Sequence, residues 1–452
     1  METKRSSFTG KIGFVLAAAG SAVGLGNLWR FPYLAAKYGG GMFLLVYIIL
    51  AVTFGFSLMV AEIAIGRKTG KSAIEAFSTL NKKCSFVGYM GAVIPMIILP
   101  YYSVIGGWVT KYLVDFAIGN GVAAAADGYF NSFITSTAKP IFWFFVFLAL
   151  TAVVVLLGVE KGIEKVSKIL MPVLVALSIA IAIYVICMPG AKAGIVYYLK
   201  PNFSTFSVMT VVAAVGQLFY SMSLAMGIMI TYGSYMKKDV SIESSVHQIE
   251  IFDTGIAFLA GLMIVPAVFV FSGGDASVLG AGPSLMFITL PKVFETMGVS
   301  GQIVGSVFFV LVLLAALTSS ISLMETVVSI IHDKFKLSRK MSCLFVIVLC
   351  IVLGLPSALG YGLLDSVKIF GFAFLDFFDF ISNSILMPIV ALLTCFVITF
   401  IIDRKTIIEE VEISGKFKSK GLFNVVIKYI APIFLLAILV SAVLDTLGIL
   451  KI

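Results

Sequence analysis

The chain has 452 residues, is 60% hydrophobic and 12% charged, and has a mean hydropathy of +1.10. That composition excludes a soluble domain of this size and fits a polytopic helical membrane protein. The net charge of +9 is spread among short loops and forms no nucleic-acid patch. Five scattered cysteines give neither a metal spacing nor a disulfide framework.

Windows of about 20 apolar residues predict eleven spans. They lie near 12–37, 41–66, 88–118, 140–158, 166–188, 208–236, 244–272, 303–331, 341–358, 368–400 and 424–448. The first follows Lys4, Arg5 and Lys11, as a signal peptide would. Its apolar stretch runs on past Arg30 toward a second span, so it is expected to be retained. An amphipathic stretch near 281–297 reads as an outer helix or re-entrant cap. With the N-terminus placed inside, 22 of the 32 basic residues fall on inner loops, Arg67, Lys161, Lys237, Lys334 and Arg404 among them. The expected location is the plasma membrane, multi-pass, with a cytoplasmic N-terminus and an extracytoplasmic C-terminus.

The first span carries Gly20, Gly24 and Gly26 within seven residues, followed by Asn27, Arg30 and Pro32. Glycine costs roughly 1 kcal/mol against alanine in a helix interior, so this helix is built to open. Freed carbonyls at membrane depth are tolerated where they line a cavity or meet an ion. A small-residue packing face would also use these glycines, but it does not require Asn27 and Arg30. The sixth span repeats the oddity in Gln217-Leu-Phe-Tyr-Ser-Met-Ser-Leu-Ala-Met-Gly227, with interhelical serine bonding as the alternative. Two interrupted helices at positions one and six suit a five-plus-five inverted repeat with its site at the midplane. Repeat one would cover about residues 12–188 and repeat two about 208–400. A further helix over about 424–448 would complete a single transport domain.

Span eight contains Ala315-Ala-Leu-Thr-Ser-Ser320. Such hard oxygens suit Na⁺, although Thr and Ser also kink and pack helices. Asp253, Asp376 and Asp379 are intramembrane carboxylates, each a functional candidate by default or a structural partner of a basic residue. Arg30 is the partner expected on the outer side, and Arg5 with Asp333 the pair on the inner side. His247 and His332 are expected to have no metal role. Gly162 and Pro172 bracket nine residues at the start of span five, where the helix could unwind to admit water.

These motifs, with Gly20-Ser-Ala-Val-Gly-Leu-Gly-Asn-Leu-Trp-Arg-Phe-Pro, Gly39-Gly-Gly and Leu317-Thr-Ser-Ser, make the chain similar to the neurotransmitter:sodium symporters. The similarity runs from Arg5 to about residue 448 and implies an all-α, LeuT-like membrane protein with helices 1 and 6 unwound. It also implies two sodium ions. Site 1 would take the Ala22 carbonyl with Asn27, Ser221, Asp253 and the substrate carboxylate. Site 2 would take the carbonyls of Gly20, Val23 and Ala315 with the hydroxyls of Thr318 and Ser319. The resemblance places an amino-acid carboxylate against Leu25, Gly26 and Tyr102, and its amine near Ala22, Tyr220 and Ser223. Ile98, Tyr102, Tyr220, Ser223, Met226, Ser319 and Leu323 would line the side-chain pocket, with Gly24 and Ser221 also against the substrate. Arg30 with Asp379 would form the outer gate, and Arg5 with Asp333, near Tyr235, the inner one.

Three departures from the family pattern refine this. Gly24 stands where monoamine transporters carry aspartate, which points to an amino-acid substrate. Met226 replaces a phenylalanine, and a flexible thioether admits larger side chains. Asp253 occupies a position that is asparagine in some members, while Ala257, one turn on, stands where chloride-dependent members carry serine. Asp253 is therefore expected to replace chloride. The expectation is a sodium-coupled symporter of hydrophobic or aromatic L-amino acids in contact with membrane lipids, with no nucleic acid and no obligate protein partner. A proton-coupled transporter or exchanger of the same fold is the nearest alternative. A channel and an intramembrane enzyme are more distant ones.

Overall fold

The computed structural model describes residues 7–273 and 282–446. Its regular structure is helical. A broken helix, α1, opens the chain as Lys11–Ala22 (α1a) and Gly26–Lys37 (α1b), bent by 51° at the break. Then follow α2 (Gly41–Thr69), α3 (Lys82–Ala117), α4 (Ala138–Leu156) and α5 (Val159–Ile186). The sixth crossing is in two parts, α6a (Val208–Ser221) and α6b (Ile228–Gly233). The rest are α7 (Ile242–Ser272), α8 (Val299–Phe335), α9 (Arg339–Leu359), α10 (Phe374–Ile401) and α11 (Lys420–Leu444).

Among the described residues, nine helices are long and apolar enough to cross a bilayer, and α1 taken as one bent span makes ten. The 14 residues of α6a reach only about 21 Å at 1.5 Å per residue, short of a hydrocarbon core of about 30 Å. Joined through Met222–Gly227 to α6b, they give an eleventh crossing. The expected spans differ from the helices chiefly at ends. The α3 and α5 helices start several residues early, and α8 runs past its apolar window at both ends, because charged and polar residues such as Lys82, Glu160, Gln302 and Lys334 close an apolar window without ending a helix. The α10 helix starts late, at Phe374, because Phe370 and Gly371 turn the chain with φ of 51° and 85°.

At the centre, α1a packs against α5, α7 and α8, α3 packs against α8, and α6b packs against α2. In lipid the hydrophobic effect does not drive such contacts, so close approach must, and small residues supply it. A Cβ on Gly66 would stand 1.9 Å from the Ile230 carbonyl oxygen, and one on Gly107 2.7 Å from the backbone of Trp143 and Phe144. The α11 helix lies outside, on α10 and α6a, with Ile433, Leu436 and Val440 exposed.

The described part of the cap expected near 281–297 is helical over Leu285–Thr289 and Leu290–Thr296. It is pinned by Phe287, whose ring meets Trp29, Trp108, Tyr112, Phe130 and Phe309. The start of α5 is wound in this state. Gly162 packs against Val154, whose oxygen a Cβ would approach to 2.1 Å, and Pro172 lies within the helix.

Candidate ion and substrate site

Both breaks are made by the residues that interrupt the helical pattern. The α1a helix ends at Ala22, and a Cβ on Gly24 would stand 2.6 Å from the Ser319 hydroxyl. One on Gly26 would stand 2.5 Å from the Tyr220 ring. These glycines therefore do more than loosen a helix: any side chain there would fill the space between α1, α6 and α8. In the α6 linker, Ser223, Ala225 and Gly227 take positive φ of 53°, 60° and 70°, a course no α-helix can follow.

Between the breaks lies a cavity with about 360 Å³ of atom-free space. Its lining contains all twelve residues expected around the substrate: Ala22, Gly24, Leu25, Gly26, Ile98, Tyr102, Tyr220, Ser221, Ser223, Met226, Ser319 and Leu323. Ser21 and Ile228 complete it. Ser21 is polar on two counts. Its hydroxyl is 3.1 Å from that of Ser223, and its carbonyl accepts from the Ser223 and Ser319 hydroxyls at 3.0 Å each. The cavity is thus apolar on the Ile98, Met226, Ile228 and Leu323 side and polar along α1. At its upper edge the Leu25 amide faces the Tyr102 hydroxyl at 3.5 Å.

Three of the expected site 1 residues, Asn27, Ser221 and Asp253, converge, and Ala22 lines the cavity beside Ser221. Asn27 donates to Asp253 Oδ1 at 2.8 Å and to the Asp253 carbonyl at 3.1 Å, while its own oxygen accepts from the Gly24 amide at 3.0 Å. Ser221 donates to Asp253 Oδ1 at 2.7 Å. Tyr47, absent from the expectation, donates to Oδ2 at 3.1 Å. Asp253 is fully buried and joins α1, α2, α6 and α7 through these bonds.

The site 2 set also assembles. The Ser319 hydroxyl lies 3.3 Å from the Val23 carbonyl and 3.5 Å from that of Gly20. The Thr318 hydroxyl lies 3.1 Å from the Ala315 carbonyl. These donors are hard, uncharged oxygens, a set that suits an alkali cation. Sequence reading missed the Ser21 carbonyl, since any residue can supply one. It also missed Gln217, which donates to the Gly26 carbonyl at 3.0 Å, and Glu62, which accepts from the Ala225 amide at 2.7 Å. The intramembrane-carboxylate rule that marks Asp253 marks Glu62 equally.

Above the cavity opens a vestibule with about 1660 Å³ of atom-free space, and Tyr220 lines both. Arg30 and Asp379 face each other across it without an ion pair. The Arg30 guanidinium lies over the Tyr220 ring at 5.5 Å, and Asp379 accepts from Tyr101 at 3.1 Å and Asn383 at 2.6 Å. The two residues expected to form the outer gate line one vestibule, each held by other partners, Arg30 by an aromatic ring and Asp379 by a phenol and an amide.

The opposite end is shut. Phe8 is buried against Phe14, Tyr232 and Tyr235, and the Thr9 amide donates to Glu164 at 2.9 Å. Tyr235 donates to Glu325 at 2.7 Å, which also pairs with Arg339. Asp333 accepts from the Ser72 amide at 2.8 Å. Arg5, its expected partner, lies outside the described residues.

The sodium:neurotransmitter symporter family profile matches residues 5–120 and 130–449. A sodium-dependent transporter of Bacillus subtilis is 35% identical over 450 residues, 98% of each chain. One from Methanocaldococcus jannaschii is 32% identical, covering 96% of this chain and 90% of its own. The human sodium- and chloride-dependent taurine transporter is 26% identical, covering 90% and 73%. Among solved structures, MhsT in complex with L-phenylalanine superposes with a TM-score of 0.87 at 38% identity, over 97% of this chain and all of the other. The chain therefore belongs to the sodium:neurotransmitter symporter family, with the LeuT-like fold: a multi-pass, sodium-dependent membrane transporter and not an enzyme.

Proposed function

We propose that the protein is a symporter that couples two sodium ions to the uptake of one hydrophobic or aromatic L-amino acid, without chloride. The observation that carries this reading is the single cavity between two broken helices, flanked by two separate oxygen clusters. Site 1 is Ala22, Asn27, Ser221 and Asp253, and site 2 is Gly20, Val23, Ala315, Thr318 and Ser319. The L-phenylalanine held by MhsT supports an amino-acid substrate. Asp253 supports chloride independence, because its carboxylate lies between Ser221 and Tyr47 and brings its own negative charge.

One domain holds the site, with repeats over about 12–188 and 208–400 and α11 added outside. The N-terminus faces the cytoplasm, the vestibule faces outward, and Arg30, Asp379, Arg5, Asp333 and Tyr235 serve as gates. Ligands bias a conformational equilibrium only by binding one state better. Sodium at site 2 would do so by tying α1a to α8. A charge crossing 100 mV is worth about 2.3 kcal/mol, and a tenfold gradient adds about 1.4 kcal/mol. Two ions supply roughly 7 kcal/mol, enough to concentrate a zwitterion on the order of 10⁵-fold.

The test is uptake of a panel of labelled amino acids by purified protein in liposomes. Uptake should need sodium, survive replacement of chloride by gluconate and show counterflow. Uptake driven by a proton gradient in choline would favour the proton-coupled alternative. Flux without counterflow would indicate a channel.

A further inference from the structure

The joint between α10 and α11 carries a cation that the fold leaves half-bonded. Arg404 opens the short helix Arg404–Glu412, just after α10 ends at Ile401. Its guanidinium donates from Nη1 to the backbone and side-chain oxygens of Asn424, both at 3.3 Å. Among the described residues Nε has no partner, and it is buried. Arginine carries five N–H donors, and a buried one left unpaired is costly. Asn424 lies on α11, and Lys428 stands one turn further along the same face. The Lys428 ammonium is 4.8 Å from the centre of the Tyr429 ring, whose hydroxyl is within electrostatic reach of both Lys428 and Arg404.

The carboxylates nearby are taken. Asp403, beside Arg404, accepts from the Lys405 amide at 3.1 Å. Lys405 pairs with Glu409 at 3.9 Å and Lys420 with Glu412 at 3.3 Å. Among the described residues no ion pair reaches Arg404 or Lys428. Both helices widen here. The α10 helix has a π-turn over Val397–Ile401, α11 has one over Val426–Ile430, and the two turns pack on each other. Such turns are frequent at functional sites. Beside the charges, Phe396 and Phe400 of α10 and Val425, Tyr429 and Ile433 of α11 are exposed. A lone lysine near a helix end reaches the membrane surface by itself. A second cation beside it, with an unpaired donor, calls for an anion.

We propose that Arg404 and Lys428 hold the headgroup of an anionic phospholipid, with Tyr429 beside it and the acyl chains along the exposed faces of α10 and α11. The site is amphiphilic in the way such a lipid is: two cations at one end of an apolar surface. Basic pockets between membrane helices select net-negative headgroups over zwitterionic ones. The guanidinium fork matches phosphate oxygens as it matches a carboxylate. Free phosphate offers the same oxygens without the chains, so it gains nothing from the apolar faces.

The experiment is native mass spectrometry of the full chain in detergent, titrated with phosphatidylglycerol or with phosphatidylcholine of identical acyl chains. It compares wild type, Lys428→Gln, Arg404→Gln/Lys428→Gln and a control, Lys82→Gln/Lys83→Gln, which removes the same charge from an exposed turn. Each cation near a lipid surface is worth about fivefold in affinity, so wild type should prefer phosphatidylglycerol for its first bound lipid by about 30-fold. Lys428→Gln leaves the Asn424 bonds of Arg404 intact and should lose about fivefold of that preference. It keeps the test open should the double variant not fold. The double variant should lose the preference altogether, and the control should match wild type. Inorganic phosphate in large excess should leave the bound lipid in place. A wild type without preference, Lys428→Gln or the double variant equal to wild type, or a control that loses as much as the double variant would overturn the proposal. So would displacement of the lipid by inorganic phosphate, which would mark a site for free anions.

Discussion

Replacing Asp253 by asparagine isolates one charge at nearly constant shape. The carboxylate accepts from Ser221, Asn27 and Tyr47 at 2.7, 2.8 and 3.1 Å. Asparagine keeps an oxygen for Ser221 and Asn27, and its amide can donate to the Tyr47 hydroxyl. What disappears is the negative charge beside site 1. Two unit charges 4 Å apart at an effective dielectric constant of 20 attract by about 4 kcal/mol. The amide dipole returns part of this, so sodium should lose about 2–3 kcal/mol, or roughly 30- to 150-fold in half-saturation. The assay is sodium titration of labelled phenylalanine binding, run with chloride and with gluconate. Chloride should partly rescue the variant and leave wild type unchanged. Without sodium the variant should be at least as stable as wild type, because a buried charge has been removed. Its sodium-induced rise in Tm should shrink with the weaker binding. A sodium half-saturation within threefold of wild type, or a wild type that requires chloride, refutes the reasoning.

Ser319→Ala removes the hydroxyl that reaches the Gly20, Ser21 and Val23 carbonyls. The Hill coefficient for sodium-driven uptake should fall from about 2 to about 1, with at least a tenfold rise in half-saturation. Met226→Phe puts a stiff ring in place of a flexible wall. Tryptophan affinity should drop about tenfold while leucine changes little, read by competition against labelled leucine. Gly26→Ala drives a Cβ into the Tyr220 ring at 2.5 Å. Overpacking of this kind costs about 1–3 kcal/mol, so substrate binding should weaken roughly 5- to 150-fold while the protein remains monodisperse in detergent.

Much of this architecture was legible because a bilayer leaves few options. Apolar windows must be helices, and a helix seeded with Gly20, Gly24, Gly26 and Asn27 must do something other than span. The same logic located the α6 break through its serines, though not its form. That Ala225, rather than a glycine, sits in the left-handed region, with its amide bonded to Glu62 on another helix, is something periodicity does not report. The proposed ion sites were legible where side chains would ligate and obscure where backbone would. Asp253, Thr318 and Ser319 stand out in apolar sequence, whereas the Ser21 carbonyl is invisible until the fold is known. Tyr47 sits in an aromatic-rich helix where nothing separates it from its neighbours. Arg30 and Asp379 were legible as a charged pair across one opening, yet their present partners are Tyr220, Tyr101 and Asn383.

The break in α1 is where the two proposed ion sites meet. Site 1 draws on Ala22 and Asn27, site 2 on Gly20 and Val23, and the cavity uses Ser21, Gly24, Leu25 and Gly26. On that proposal every residue of this segment would face an ion, the substrate or a neighbouring helix. Some of its carbonyls have lost the helical bonds that would satisfy them in lipid, while those of Gly24 and Gly26 still accept from the Asn27 and Phe31 amides, and each one left unpaired costs several kcal/mol. Here the Ser319 and Ser223 hydroxyls and the Gln217 amide satisfy part of that need. Cations can satisfy it more strongly, and they do so only while α1a stays against α8 and α1b stays against α7. Ion occupancy and the packing of these helices are thus one equilibrium seen from two sides. A transporter gains its coupling from that identity: the backbone groups that would destabilise an empty open helix are the ones that bind what must be carried.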